Sequence, residues 1–433
     1  MVNNLNVEVT PLSRVEGHGE LVIDVKNKKI VKAQFRIPEP PRFFEAFLVG
    51  RKYDEPSHMT SRICGICGVS HTCASIKATE KAMGITPSAQ TVNLRKLIFY
   101  HEVMQSNALH FYYLALPDFF KNGSIFSLAE EYPDLAGIAV NIKKTANDTV
   151  RIIGGRAVHP IRTVIGGFTK LPTEEELVQI KKMLKKVYPD LEKTLKILKK
   201  VKIPDFERET EYISISDPAE YAIYNGKIKS TDGWEIEDQD YLDKISETIV
   251  DYSTGKHARS SRDSNMVGAL ARINNNYKVL SDNAKDYAGK LGLKPICCNP
   301  FMNNIAQFVE IVHCVDDSFR LIDGLLENGL DENKAISEVK VRAGRGVGVV
   351  EAPRGILIHD YTYSEEGKIT KANLIIPTNH NYGNIKYDLE KLIPGILNET
   401  EEKIKFDCEM LIRAYDPCIS CSAHLLDLKL VNK

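Results

Sequence analysis

The chain has 433 residues, with 57 Lys and Arg against 58 Asp and Glu and a formal charge of -1. That balance leaves no basic surplus for nucleic acid and no acidic block for a disordered tail. With 43% hydrophobic and 27% charged residues, the composition is that of an ordinary globular protein. No run of about 18 uninterrupted apolar residues occurs, so no membrane span is expected. The start "MVNNLNVEVTPLSRVEGHGE" has no apolar core behind a basic head, so it does not read as a signal peptide, and a cytoplasmic setting is expected.

In chain order, "GELVIDVKNKKIVKAQFRI" alternates apolar and polar residues around "KNKK", the pattern of a hairpin or meander. "PEPPRFFEAFLVGRK" breaks the alternation and begins a short helix, and "GVSHTCASIKATEKAMG" reads as the start of another. From Pro87 to Leu116, Val92, Leu94, Leu97, Ile98, Val103, Met104 and Leu109 recur at helical spacing. Leu177 to Val201 is amphipathic with a lysine face. "YISISDPAEYAIYNGKIKSTDGWEIE" is β-rich, with Asn225-Gly226 and Asp232-Gly233 as turn signals. Val267 to Leu291 and Asn303 to Leu326 read as two buried helices, and the chain returns to strands after Asp331. No repeat and no Pro/Gly/Ser linker marks a boundary. The expected fold is α+β, mainly α: a central bundle of long helices with small β elements near both termini.

Nine cysteines are present, four of them in two C-x-x-C pairs: Cys64 and Cys67 in "RICGICGVSHTCAS", and Cys418 and Cys421 in "DPCISCSAH". A three-residue step lets both thiolates of a pair face one ion, and a helix start after Cys67 would favour the thiolate form. The pairs lie 354 residues apart. Zinc ribbons join their pairs over roughly 10 to 20 residues, as a local knot. A site built from such distant segments needs a folded scaffold, which favours a functional metal site. Spacing alone leaves open two unrelated structural or redox pairs, or cysteines that merely pack. His71, four residues after Cys67, is a candidate third ligand on the same ground.

These segments resemble the paired signatures of the large subunit of nickel–iron hydrogenases, in its cytoplasmic, sulfhydrogenase-like branch. The resemblance runs over nearly the whole chain, through "SRVEGHGE", "PRFFEAFLVGR", "ALHFYYLALPDF", "NPFMNNIAQFVEIV", "EAPRGIL" and "IIPTNHN". It implies reversible heterolytic cleavage of dihydrogen at a nickel–iron centre whose iron carries carbon monoxide and two cyanides. Cys64 and Cys418 would then be terminal nickel ligands, and Cys67 and Cys421 would bridge to iron. A terminal thiolate, Cys418, would take the proton and Glu16 would relay it. Arg354 would sit over the metals beside Asp416, Pro353 and Thr378 would line the pocket for the diatomic ligands, and His71 would hydrogen-bond a bridging thiolate. Glu45 and His424 match ligands of a magnesium (sometimes iron) ion that ties down the C-terminus. Taken without the resemblance, Glu16 and Arg354 would read as exposed surface charges.

Further implications concern partners. The chain lacks cysteines for iron–sulfur clusters, so an obligate iron–sulfur small subunit is implied, with flavin, NAD(P) or other electron-transfer subunits beyond it. Nickel-insertion proteins and a maturation protease would act on the chain, and the protease would remove residues 425–433 from a single catalytic domain spanning 1–424. One departure from the resemblance is Ser106, where many membrane-linked relatives carry an aspartate. Two rivals stand beside this reading: a metal-less quinone-reductase relative, and a protein with a structural zinc or iron–sulfur site. "GRGVGVVEAPRG" contains a G-x-G, but Glu351 occupies the third glycine position and no helix follows, so it is a poor dinucleotide motif. Cys297, Cys298, Cys314 and Cys408 read as core thiols.

Overall fold

The computed structural model describes residues 4–120 and 123–423. His424 and the expected tail 425–433 lie outside the described residues. The N-terminal strands β1 (Leu5–Val9), β2 (Glu20–Lys26) and β3 (Lys29–Arg36) form an antiparallel sheet in that order. Asn27 and Lys28 close the β2–β3 hairpin with φ of 50° and 62°, the left-handed pair that matches strand twist in a two-residue turn.

The helical body begins with α1 (Gly68–Met83), α2 (Ala89–Ala108) and α3 (Pro133–Gly154). Ser88 caps α2 by accepting from the Thr91 N–H. Beyond Ala108 the chain continues through a π-helical run, Leu109–Ala115. The amphipathic lysine-rich stretch is two helices rather than one, α4 (Glu174–Lys185) and α5 (Tyr188–Leu198). Pro189 sits in the first turn of α5, where its missing N–H costs nothing, but it cannot continue α4. Next come β4 (Glu211–Ser216), β5 (Lys227–Ser230), β6 (Glu235–Ile236) and β7 (Asn265–Met266), a sheet ordered β7-β4-β5-β6. The expected helix 267–291 is also divided, into α6 (Ala269–Asn276) and α7 (Asp282–Lys290), because Ser281 starts a fresh helix by accepting from the Ala284 N–H. α8 (Asn303–Asn328) is continuous and packs with α3 against α2, forming the expected central bundle. The last sheet is β8 (Gly344–Ala352), β9 (Gly355–Tyr363) and β10 (Ile369–Ile375), followed by α9 (Pro377–Ile396) and α10 (Glu401–Ala414). The β structure is therefore not confined to the ends of the chain; one sheet sits at its middle.

The failed dinucleotide motif has a structural explanation. α1 lies directly on β8, and a Cβ at Gly346 or Gly348 would stand 2.0 Å from the Ala78 carbonyl oxygen or 2.1 Å from that of Ala74. Alternate glycines on the strand and alanines at helical spacing on α1 bring the two backbones into contact. This seat sets the position of α1, which begins at the first cysteine pair.

Candidate metal centre

Cys64 sits in extended backbone and Cys67 is the N-cap of α1. Cys418 is the N-cap of a short helix, Ile419–Ser422, that contains Cys421. The four sulfurs converge, all within 4.8 Å of one another, and all four residues are buried. Cys64 Sγ lies 3.7 Å from Cys418 Sγ, Cys67 Sγ lies 3.7 Å from Cys421 Sγ, and the Cys418 and Cys421 sulfurs are 2.7 Å apart. The N–H groups of Ile66 and Cys67 donate to Cys64 Sγ at 3.2 and 3.3 Å. Hydrogen bonds with the Cys418, Cys421 and Cys67 thiols hold Cys64 well below the ordinary thiol range. Burial pushes Cys418 and Cys421 well above it. A soft cation among these sulfurs would remove the mutual repulsion that keeps all four from ionising together.

The two halves are joined by the N-terminus. Glu16 forms a parallel bridge with Cys418, its carbonyl accepts from the Ile419 N–H at 3.1 Å, and its carboxylate accepts from the Ser420 N–H at 3.1 Å. Gly17 follows with φ of 83°, and a Cβ there would stand 2.8 Å from Ile419 Cβ, so both conformation and space require glycine. Glu102 of α2 caps the first helix, accepting from the N–H groups of Val69 at 2.6 Å and Ser70 at 2.9 Å. Arg42 hydrogen-bonds carbonyls on both cysteine segments. Sequence reasoning did not single out Arg42, Gly17 or Glu102. In "PPRFFE" and "VEGHG" the recognisable ligand and relay candidates are the neighbouring glutamates, and a helix-capping carboxylate 33 residues from its helix leaves no local pattern.

Arg354 is no surface residue: it is 3% exposed, at the β8–β9 turn, and Asp416 is equally buried. Arg354 Nε donates to the Asp416 carbonyl at 2.9 Å and to Oδ1 at 3.1 Å, and Nη1 lies 3.4 Å from Ser106 Oγ. Nη2 forms an ion pair with Asp416 Oδ1 at 2.9 Å but lies off hydrogen-bonding angle and makes no hydrogen bond. Burial works against the charged guanidinium, but Asp416 and the Cys418, Cys64 and Cys67 sulfurs outweigh it and hold Arg354 well above its ordinary range. Thr378 Oγ1 accepts from the Cys418 N–H at 3.1 Å. Pro353 is buried, and its carbonyl accepts from Arg272 at 2.8 Å. His71 is buried with Nδ1 3.2 Å from His359 Nε2, and burial lowers it to about 4.

Glu45 lies in a short helix, Phe44–Leu48, and accepts from the Leu374 N–H at 2.8 Å. Burial pushes its carboxyl up to about 7, against the pull of Lys256 and that N–H. Its expected co-ligand His424 is outside the described residues.

The sequence profile of the nickel-dependent hydrogenases matches residues 42–132 and 207–424, more than half of the chain. The alpha chain of sulfhydrogenase 1 from Pyrococcus furiosus is 34% identical, over 98% of this chain and 99% of that one. A chain of the F420-non-reducing hydrogenase of Methanothermobacter marburgensis is 30% identical, over 98% of this chain and 95% of that one. Among solved structures, an NAD+-reducing [NiFe]-hydrogenase in the H2-reduced state superposes with a TM-score of 0.88 at 28% identity, over 97% of this chain and 99% of that one. With four thiols gathered where the two C-x-x-C pairs meet, and with matches that span the chain, this protein belongs to the nickel-dependent hydrogenase family.

Proposed function

We propose that this chain is the catalytic subunit of a hydrogenase that interconverts dihydrogen with two protons and two electrons. The observation that carries the reading is the convergence of four buried thiols from pairs 354 residues apart. Four soft sulfurs suit nickel: Cys64 and Cys418 would hold nickel alone, and Cys67 and Cys421 would also hold an iron bearing carbon monoxide and cyanide. When bound, that centre would supply the Lewis-acid and redox chemistry.

The chain's own groups do the rest. Cys418 Sγ would accept a proton, and Glu16, held against the same segment by the Ser420 N–H, would carry it away. Nη2 of Arg354, which makes no hydrogen bond, is a donor available to a cyanide nitrogen, and Asp416 fixes the guanidinium fork. Pro353 and Thr378 would line the pocket for the diatomic ligands, and His71 would hydrogen-bond a bridging thiolate. Glu45, with His424, would hold a magnesium or iron ion near the C-terminus, its carboxylate being the kind of oxygen ligand a hydrated hard cation takes. No helix among the described residues is long and apolar enough to cross a membrane. We take the enzyme to be cytoplasmic, with electrons passing to an iron–sulfur small subunit, then to flavin, NAD(P) or other electron-transfer subunits.

Metal analysis with infrared spectroscopy of the purified complex tests this. Nickel and iron together with bands of metal-bound carbon monoxide and cyanide are expected; zinc alone, without such bands, would overturn the assignment.

A further inference from the structure

The stretch from Leu177 to Lys202 carries nine lysines against two acidic residues, a formal +7 in a chain whose net charge is -1. Both acids are bound to neighbouring helices: Asp190 accepts from Asn141 Nδ2 of α3 at 2.6 Å, and Glu192 from the Tyr287 hydroxyl of α7 at 2.6 Å. The result is a basic face along α4 and α5.

A groove runs into that face. α4 turns Leu177, Ile180 and Leu184 into the core, and Val178, Lys181, Lys182 and Lys185 follow one another at i, i+3, i+4 and i+7 on a second stripe. Phe319 and Leu326 of α8, two turns apart, face that stripe. Together with Tyr188 they enclose about 550 Å3, within the range of ligand-sized sites. The floor is apolar and already in place: Phe319 stacks on Tyr188 with ring centroids 5.9 Å apart, and the Tyr188 hydroxyl donates to Asp316 Oδ1 at 2.7 Å. Lys181 is held too, with its ammonium 5.8 Å from the Phe319 ring centroid and paired with Asp323. Val178 is 39% exposed, and Tyr188, Phe319 and Leu326 are partly open to water. Lys182 and Lys185 are exposed, and neither is paired with a carboxylate of the described residues. An apolar floor left wet beside two unpaired ammonium groups is a surface short of a partner.

Shape and charge select the partner class. A bilayer takes up apolar side chains that project, and here they lie at the bottom of a groove. Nucleic acid would use the ammonium groups and leave the floor wet. The chain's own end, "LLDLKLVNK", has apolar residues, but its two lysines outweigh its one aspartate against a basic rim. A helix with leucines at i, i+4 and i+7 and carboxylates beside them satisfies floor and rim together.

We propose that this groove docks an acidic amphipathic helix of a partner protein, with its apolar face on Val178, Phe319 and Leu326 and its carboxylates at Lys182 and Lys185. The groove shares no residue with the four-thiol site, so this proposal stands or falls apart from the functional reading above.

Two measurements on the purified complex test it. In the first, a carbodiimide joins paired ammonium and carboxylate groups, and peptide mass spectrometry is expected to find Lys182 or Lys185 linked to an acidic helix of another subunit. If the groove is open in the complex, a fluorescein-labelled helical peptide of about 18 residues, its leucine stripe flanked by glutamates, is expected to bind saturably. Lys182→Glu combined with Lys185→Glu should weaken that binding on the order of tenfold, as should Val178→Asp, and a shuffled peptide of the same composition should bind as poorly to the wild type. Absence of both the cross-link and saturable peptide binding would overturn the proposal. Equal binding of the shuffled peptide would reduce the groove to a charged patch and overturn it as well. So would lysine-dependent pelleting with phosphatidylglycerol vesicles in place of peptide binding, or lysine-dependent self-association of the complex in sedimentation.

Discussion

Arg42 and Ser420, 378 residues apart, meet through a 3.2 Å hydrogen bond from the guanidinium to the Ser420 carbonyl. The same nitrogen donates to the Ile63 carbonyl at 2.6 Å, and the Arg42 backbone N–H donates to Ala423 at 2.8 Å. One residue thus ties the position before Cys64 to the position before Cys421. Charge-assisted bonds of this kind contribute about 1.5–3 kcal/mol each. Arg42→Met should keep the helical circular dichroism of the wild type while nickel per chain, read by elemental mass spectrometry, falls. Full nickel loading and wild-type turnover would refute the clasp.

The seat of α1 on β8 makes its own prediction. Gly348→Ala places a methyl group 2.1 Å from a backbone oxygen, which cannot rotate away. Helix and strand must separate, at a cost of about 1–3 kcal/mol or more. A lowered thermal midpoint accompanied by loss of metal is the expected result. An unchanged midpoint would mean that the two backbones are not in contact.

Serine at Cys64, Cys67, Cys418 or Cys421 should abolish nickel retention, since each supplies a sulfur to one small volume. Serine at Cys314 or Cys408 should leave nickel in place and affect stability alone, because burial pushes both thiols far from ionisation. If either of the latter changes lowers nickel content before the fold is lost, the division of the cysteines is wrong.

His101 is a clean reporter of acid sensitivity. Its Nδ1 bonds the Leu97 carbonyl at 2.7 Å and its Nε2 is buried without a partner, so protonation would leave a cation in the dry core. Burial lowers it to about 4 from 6.5. The unfolded chain therefore binds the extra proton first as pH falls, and stability from this residue is lost between those two values. Across that window the loss is about 3 kcal/mol. Denaturant titrations of the wild type and of His101→Gln should diverge in slope there; parallel curves would show that another group dominates.

The tail yields a mass prediction. If residues 425–433 are removed on maturation, intact-mass spectrometry of hydrogen-active protein should find a chain ending at His424. A hydrogen-active chain ending at Lys433 would count against the proposal.

Much of this architecture was legible in the residues because the informative signals were short and chemical. The two C-x-x-C pairs and the N-terminal alternation of "ELVIDVK" needed no tertiary information. The single helix read over 177–201 failed because its apolar period runs on through Pro189, and only the missing N–H breaks it. Helix α9 went unread: its start, "PTNHNYGN", is rich in residues usually found in turns, and Pro394 sits near its end. Here tertiary bonds override local preference, as where Asn384 and Asp388 are engaged by Arg208. The burial of Arg354 was equally hidden, since an arginine after a strand looks exposed until Asp416 is seen beside it.

The π-helical run at Leu109–Ala115 gives the centre a mechanical address. An α-helix advances about 100° per residue, and a π-turn adds one residue to the same rise. The facing of every side chain after Ala115 therefore depends on that extra residue. Deleting one residue from 111–115 would re-phase every side chain downstream and turn Asp118 away from Arg14 and Arg413. The surplus residue acts as a register mark for the segment that follows α2.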